Sequence, residues 1–272
     1  MSTAVRPSGP TPSGATVGDL LRKWRQHRRL SQLDLSIQAD ISTRHLSFVE
    51  TGRSVPSREM VLHLAEHLDL PLRERNQLLI AAGYAPIYPE RALDTTPMAA
   101  VRDAVRQVLA GHEPYPALAV DRYWNIVDGN SAIAVLTEGV TARLLEPPAN
   151  ALRIALHPGG MAPRIANLAE WRGHLLARLR REVEHTADPR LVELYNELVA
   201  LPCDDPTPAS EHSLAGGVVV PLRFRHGDGE LAFFSTVTTF GTALDVTVAE
   251  LAIEAFFPAD AATVKILRGE SG

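Results

Sequence analysis

Arg44 and Phe48 lie four residues apart, so on a helix they fall one turn apart on a common side. The phase of Leu46 and Val49 points the core the other way, which leaves Thr43, Arg44, Ser47 and Phe48 on outward faces. The chemistry this offers is the reading of nucleobase edges. A guanidinium can bond a guanine edge bidentately, worth about 1–3 kcal/mol of discrimination, and a phenyl ring can pack on a thymine methyl. Arg53, just past the stretch, suits a backbone phosphate. Double-stranded DNA is the expected partner.

The chain offers no comparable constellation for catalysis. The histidines at 112, 157, 174, 185, 212 and 226 show no zinc-protease spacing. His157-Pro158-Gly159-Gly160 reads as a turn, because no G-x-S-x-G nucleophile elbow accompanies it. There is no G-x-G-x-x-G and no Walker A motif. No enzyme activity, metal site or cofactor is expected.

The elements that must hold Arg44 are legible in residues 31–57. Ser31 caps a helix starting at Gln32, with Leu33, Leu35 and Ala39 as its apolar face. A turn at Asp40-Ile41 needs a left-handed residue, which Asp tolerates. Ser42 caps the next helix, and Gly52 ends it. Ser57, after Pro56, caps a fourth helix with Val61, Leu64, Ala65 and Leu68 inward. Val17, Leu20, Leu21 and Trp24 form the stripe of a first helix. Its other side carries Arg22, Lys23, Arg25, Arg28 and Arg29, of which Arg22, Arg28 and Arg29 singly read as a solvated basic face. Leu72, Leu78, Leu79 and Ala82 suit a fifth helix ending at Gly83. Two short helices joined by a tight turn are the layout of a helix-turn-helix.

Residues 15–84 resemble the Xre-type, phage-repressor-like DNA-binding domains, through Ser31-Gln32, Leu35, Ala39, Ile41-Ser42, Leu46, Val49-Glu50, Gly52 and Pro56-Ser57. The resemblance implies that Gln32 grips a phosphate. It also implies that Thr43, Arg44 and Phe48 read bases with Ser42 at the helix mouth, and that Glu50 pairs with Arg25. Asp40 departs from the family's usual glycine.

Composition agrees with a split chain. Net charge is −5 over 272 residues, yet residues 1–83 hold 11 Lys+Arg against 8 Asp+Glu, while the remainder holds 16 against 24. Only the amino-terminal part is basic, and an acidic remainder discourages nonspecific adhesion to phosphate. The lone Cys203 excludes an intramolecular disulfide and fits a reducing cytosol. No apolar run approaches a membrane span, and the start lacks a signal-peptide core, so the expected location is the cytoplasm, at the nucleoid. The domain reading is a flexible tail over 1–15, the helix-turn-helix domain over 16–84, a Pro-punctuated linker over 85–97 and a second domain over 98–272.

In that second domain, Met98 to Gly111 reads as a helix. Ala117–Val120 and Trp124–Val127 then read as a hairpin around Asp121-Arg122-Tyr123. Asn130 caps a helix through Leu136, and Asn150 caps one through Leu156. A long helix from Arg164 to Glu184 turns Leu168, Trp171, Leu175 and Leu179 to one side, and Asp188-Pro189 opens another through Leu201. After a loop, period two takes over at Val218–Phe224, and the turn His226-Gly227-Asp228-Gly229 leads into a second strand. Residues 245–257 fit a last strand, with Leu251, Ile253, Ala255 and Phe257 on one face, and fit a helix nearly as well. The fold class is therefore α+β overall: an all-α five-helix domain, then an antiparallel sheet of about five strands with helices inserted between strands two and three.

That second arrangement is similar to a PAS-type sensor. The whole chain, over about 17–268, resembles the MmyB-like ligand-binding regulators. The resemblance rests on PSREMVLHLAEHLDLPLRERNQLLIAAGY, HEPYPALAVDRYWNIVDGN, APRIANLAEW and FFSTVTTFGTALDVTVAELAIEAFFPAD. It implies an apolar pocket for a small, fatty-acid-like ligand, for which Trp124, Trp171, Phe224 and Phe234 are the candidate lining. The expected protein is a homodimeric, sequence-specific transcription regulator. The alternative is a DNA-bound module whose second domain binds a protein and no small molecule.

Overall fold

The computed structural model describes residues 14–203, 220–241 and 243–269. Most of the expected tail and the loop after Cys203 lie outside them. The chain divides into two compact units, Met1–Pro89 and Glu90–Gly272.

The first unit holds five helices: α1 (Val17–His27), α2 (Gln32–Gln38), α3 (Thr43–Glu50), α4 (Arg58–His67) and α5 (Leu72–Ala81). Their starts follow from the sequence. Thr16 and Ser31 each form a reciprocal capping box, with Asp19 and Asp34 respectively, so two orphan amides are satisfied at each helix start. The turn between α2 and α3 does place Asp40 in the left-handed region, at φ 48°. Leu21, Leu35, Leu46, Val49, Val61, Leu64, Leu78 and Leu79 are fully buried. Leu33 is a correction: it is 57% exposed, because two residues before Leu35 is more than half a turn away around a helix. Gly18 on α1 sits where a Cβ would come within 2.5 Å of the Val49 carbonyl oxygen. Gly18→Ala should therefore force α1 off α3 and cost about 1–3 kcal/mol as overpacking, read by thermal melting.

The expected linker is not free chain. The Asn76 side chain accepts from the amides of Ile87 and Tyr88 and donates to the Tyr88 carbonyl. Arg102 in turn donates to the carbonyls of Leu93 and Thr95.

In the second unit α6 (Ala99–Gly111) leads to β1 (Ala117–Val120) and β2 (Ile126–Gly129). Next come α7 (Ala134–Thr137), α8 (Ala142–Leu145), α9 (Ala151–Leu156), α10 (Leu168–Thr186) and α11 (Pro189–Ala200). Then follow β3 (Leu222–His226), β4 (Gly229–Thr239), a short helix Val246–Ala249, β5 (Ala252–Pro258) and a last helix Ala261–Leu267. The five strands run in the order β2-β1-β5-β4-β3, every neighbouring pair antiparallel.

Both faces of the sheet are covered. Leu118, Val120, Leu222, Phe224, Leu231, Phe233 and Phe256 meet the helices inserted between β2 and β3. Ala117, Ala119, Leu251 and Ile253 meet Val105 and Leu109 of α6. This explains why β1 is an unbroken apolar run instead of an alternating one.

Several boundaries differ from expectation. β2 begins at Ile126, because Trp124 lies in the hairpin turn at φ 65°. Asp121 builds that turn by accepting from the amides of Tyr123 and Asn125. Asn130 does not cap the following turn through its side chain, which instead bonds the Ala117 amide and the Leu109 and Tyr115 carbonyls. The long helix starts at Leu168; Ala162–Arg164 is a separate 3-10 turn containing Pro163. β3 starts after Pro221, which has no ladder donor; Val218 lies outside the described residues. Residues 245–257 hold both expected alternatives in succession, helix then strand.

Candidate nucleic-acid interface and apolar cavity

The second helix of the motif, α3, is capped by the Ser42 hydroxyl, which accepts from the His45 amide at 3.1 Å. Arg44 is exposed, with its guanidinium 5.3 Å from the centre of the half-buried Phe48 ring. Arg53 lies 5.9 Å from the same ring, and its amide bonds the Phe48 carbonyl at 2.8 Å. Phe48 thus gathers two guanidiniums from different turns of the chain. Ser47 is half-buried beside it. The Thr43 hydroxyl is 2.7 Å from that of Ser36, so it clasps α3 to α2.

Behind this face lies a buried ion pair. Arg25 donates through Nε to Glu50 Oε1 at 2.6 Å and through Nη2 to Oε2 at 2.9 Å. Gln32 Nε2 donates to Glu50 Oε2 at 2.8 Å. Glu50 is 2% exposed and Arg25 8%. Burial by itself raises the Glu50 pKa, but the bonds from Arg25 and Gln32 and the charges of Arg25 and Arg22 outweigh it and hold the carboxyl below its ordinary range. Gln32 therefore stands at the start of α2 with its amide directed at Glu50.

The basic face of α1 needs correction at two positions. Arg22 donates to the Glu50 carbonyl, and Arg28 donates to the carbonyls of Leu68 and Asp69. Both satisfy helix C-terminal carbonyls and are structural, whereas Arg29 is exposed. Spacing gives no sign of these bonds, because the carbonyls they reach are distant in sequence.

The second unit holds a half-open cavity of about 60 Å³ among the inner sheet face, α7, α9 and α10. Its wall is apolar, including Trp124, Trp171, Leu136, Met161 and Phe256, with Thr137 and Glu254 as polar members. Of the expected lining, Trp124 and Trp171 are in this wall. Phe224 is fully buried but packs under the Arg164 guanidinium at 4.5 Å, outside the wall. Phe234 is a correction: β4 turns Phe233 inward, so its neighbour faces the other way and stacks on Phe257 at 5.3 Å.

Sequence reasoning missed the polar edge of the cavity. Trp124 Nε1 donates to Glu182 Oε2 at 2.7 Å, and Arg178 lies over the Trp124 ring at 4.2 Å. Arg178 also donates to Glu254 Oε2 at 3.2 Å. Burial raises the Glu182 pKa against the opposing effects of Trp124 and Arg178. Burial, then the positive field of Arg178, lowers that of His174, which stacks on Trp171. The signal was present in Ala-Ile-Glu-Ala-Phe-Phe, where an acid interrupts an apolar run at the phase of Ala252 and Phe256.

Comparison with known proteins decides the lineage. Residues 101–269 match the MmyB-like transcription regulator ligand binding domain, and residues 16–78 match a helix-turn-helix domain. The chain belongs to the MmyB-like transcription regulators. As such it carries a DNA-binding helix-turn-helix domain ahead of its ligand-binding domain. A transcriptional regulatory protein of the HTH type from Methanoculleus marisnigri is 34% identical over 121 residues, 42% of this chain and 38% of that protein. The transcriptional regulator ClgR of Mycobacterium tuberculosis is 36% identical over 81 residues, 30% of this chain and 70% of ClgR. The chain thus spans under two fifths of the length of the first of these relatives. A solved RNA-binding Light-Oxygen-Voltage receptor aligns with 93% of this chain and 61% of its own at 14% identity, with a TM-score of 0.24, too low to bear on the fold. Among the described residues, no helix is long and apolar enough to cross a membrane, and no cluster of His, Cys, Asp or Glu could hold a metal.

Proposed function

We propose that this MmyB-like regulator binds a specific DNA sequence as a homodimer and that a small apolar ligand in the second unit controls it. The observation that carries the DNA half is the pair of exposed guanidiniums, Arg44 on the second helix of the motif and Arg53 just past its end, gathered on the half-buried Phe48 ring. Arg44 is its long donor for a base edge, Phe48 its apolar surface for a thymine methyl and Arg53 its phosphate contact. Ser42, Thr43 and Ser47 flank them at the groove, and the Gln32 amide, which gives one hydrogen to Glu50, has its second for a phosphate beside them. Arg44→Ala should weaken specific binding by about 1–3 kcal/mol and flatten sequence preference. Gln32→Ala should instead lower affinity evenly across sequences. A gel-shift series against the operator and scrambled DNA reads both; an Arg44→Ala protein with unchanged affinity and preference would remove Arg44 from the reading.

The ligand half rests on the apolar cavity. Its 60 Å³ is well below the roughly 300 Å³ of sites for drug-sized ligands. A fatty-acid-like chain enters only as the wall parts, and α7, a four-residue helix contributing Leu136 and Thr137, is a short element of that wall. Trp124, left-handed in its turn, is a second: strain at a non-glycine residue is characteristic of ligand clamps.

A further inference from the structure

We propose that Arg29 is a DNA phosphate contact, held at a helix end where glycine would be the more stable residue; this rests on the DNA-binding reading above and adds a contact to it. All five helices of the first unit end in the same way. The residue after the C-cap is left-handed, at Arg29, Asp40, Gly52, Asp69 and Gly83, with φ of 56°, 48°, 71°, 48° and 85°. Its amide bonds the carbonyl three residues back, and the next amide bonds the carbonyl five residues back, as in Leu30 to Arg25 and Tyr84 to Leu79. The five occupants therefore meet one backbone geometry. Glycine adopts it without a Cβ clash. Aspartate tolerates it because its short polar side chain can bond locally. Arginine has neither advantage.

No contact within the unit offsets the strain at Arg29. The residue is exposed, and its guanidinium bonds no other described residue. Other arginines of the unit are engaged internally: Arg22, Arg28 and Arg75 donate to backbone carbonyls, and Arg25 to Glu50. The backbone beneath Arg29 is nonetheless fixed, because Arg25 Nη1 donates to the Leu30 carbonyl at 2.8 Å. A rigid corner thus presents an open guanidinium. It stands two residues before the Ser31 cap and three before Gln32, whose amide is turned to Glu50 at the end of α3. Strain held at a residue without local compensation is the pattern of a functional position. A guanidinium on a flexible stem suits a phosphate, and such a contact positions the duplex without reading its sequence.

The test uses the full chain and a mixed-sequence DNA duplex, whose binding is almost wholly electrostatic. Two readouts should move in opposite directions in Arg29→Gly. Its first unit should melt about 4 °C higher, because glycine relieves the cap. Its affinity should fall about fivefold to tenfold per head at about 0.1 M salt, and the slope of log affinity against log salt should drop by about 0.9 per head. Arg29→Lys keeps both the charge and the left-handed strain, so it should hold the slope and the melting temperature. A drop in slope of less than half the expected one in Arg29→Gly would leave Arg29 a solvated cation and overturn the contact. An equal drop in Arg29→Lys would overturn it as well, since the charge is retained. No rise in melting temperature in Arg29→Gly would overturn the strain argument on which the proposal stands. Failure of the unsubstituted chain to bind any duplex would overturn the DNA-binding reading itself.

Discussion

Glu50→Ala is expected to destabilise the amino-terminal unit by about 3–5 kcal/mol, the range for removing one partner of a buried ion pair. The substitution leaves the Arg25 guanidinium, 8% exposed, with only the Leu30 carbonyl of its present partners. It also frees the Gln32 amide and opens a cavity where α1, α2 and α3 meet. Arg29→Ala, at an exposed position, is the control and should change little. Calorimetric melting of the full chain reads the comparison, and equal melting of the first unit in the two variants would contradict it. The same pair has a pH signature. The carboxyl of Glu50 is held below its ordinary value, so the native state binds fewer protons there than the unfolded chain. Its contribution is complete above the unfolded value of about 4.3 and is lost as pH falls through the lower native one. Acidification from pH 6 toward pH 3 should therefore destabilise the first unit less in Glu50→Gln, which begins weaker, than in the unsubstituted protein.

The DNA-reading unit was legible because its determinants are local. Caps at Ser31, Ser42 and Ser57, the left-handed Asp40 and the inward phase of Leu46 and Val49 all act within a turn or two of the chain. Arg22 and Arg28 were misread because the carbonyls they bond lie at the ends of α3 and α4, 28 and 40 or more residues away. The second unit shows the same division. The turn His226-Gly227-Asp228-Gly229 closes the β3–β4 hairpin, with His226 opposite Gly229 and Gly227 at φ 55°. Trp124 was misplaced because an apolar run followed by polar residues reads as a strand, whereas Asp121 bonds the following amides and holds a turn in its place. Phe234 was misassigned because two adjacent phenylalanines in a strand cannot both face the core, and both faces of this sheet are apolar. Period two cannot choose between them; packing against Phe257 does. The Glu254–Arg178 contact joins residues 76 apart, so the acid shows as a break in the run Ala-Ile-Glu-Ala-Phe-Phe but its partner leaves no local trace.

Truncation to residues 1–89 is expected to lower operator affinity by roughly 10²–10⁴-fold, the gain that linking two binding modules confers. One helix-turn-helix contacts a few base pairs, which is rarely enough against genomic competition. Two heads on half-sites about one helical turn apart supply the remainder. The larger apolar reserve for holding them together lies in the second unit, where Val108, Val127, Leu145, Val192, Val199, Val237, Leu244 and Ile266 are exposed. The first unit exposes Leu33, Ile37, Val55 and Ile80, but only Leu33 and Ile37 share one turn of a helix. Val108 is exposed at the border of the stripe that buries Val105 and Leu109 on α6, and Val192 and Val199, seven apart, share one outer face of α11. The interface is accordingly expected within residues 98–268. Sedimentation should give a dimer for the full chain and a monomer for 1–89, and footprinting of the full chain should show a pseudo-palindrome. A monomeric full chain that binds a single half-site as tightly as the operator would overturn the dimer, and a dimeric 1–89 fragment would move the interface to Leu33 and Ile37.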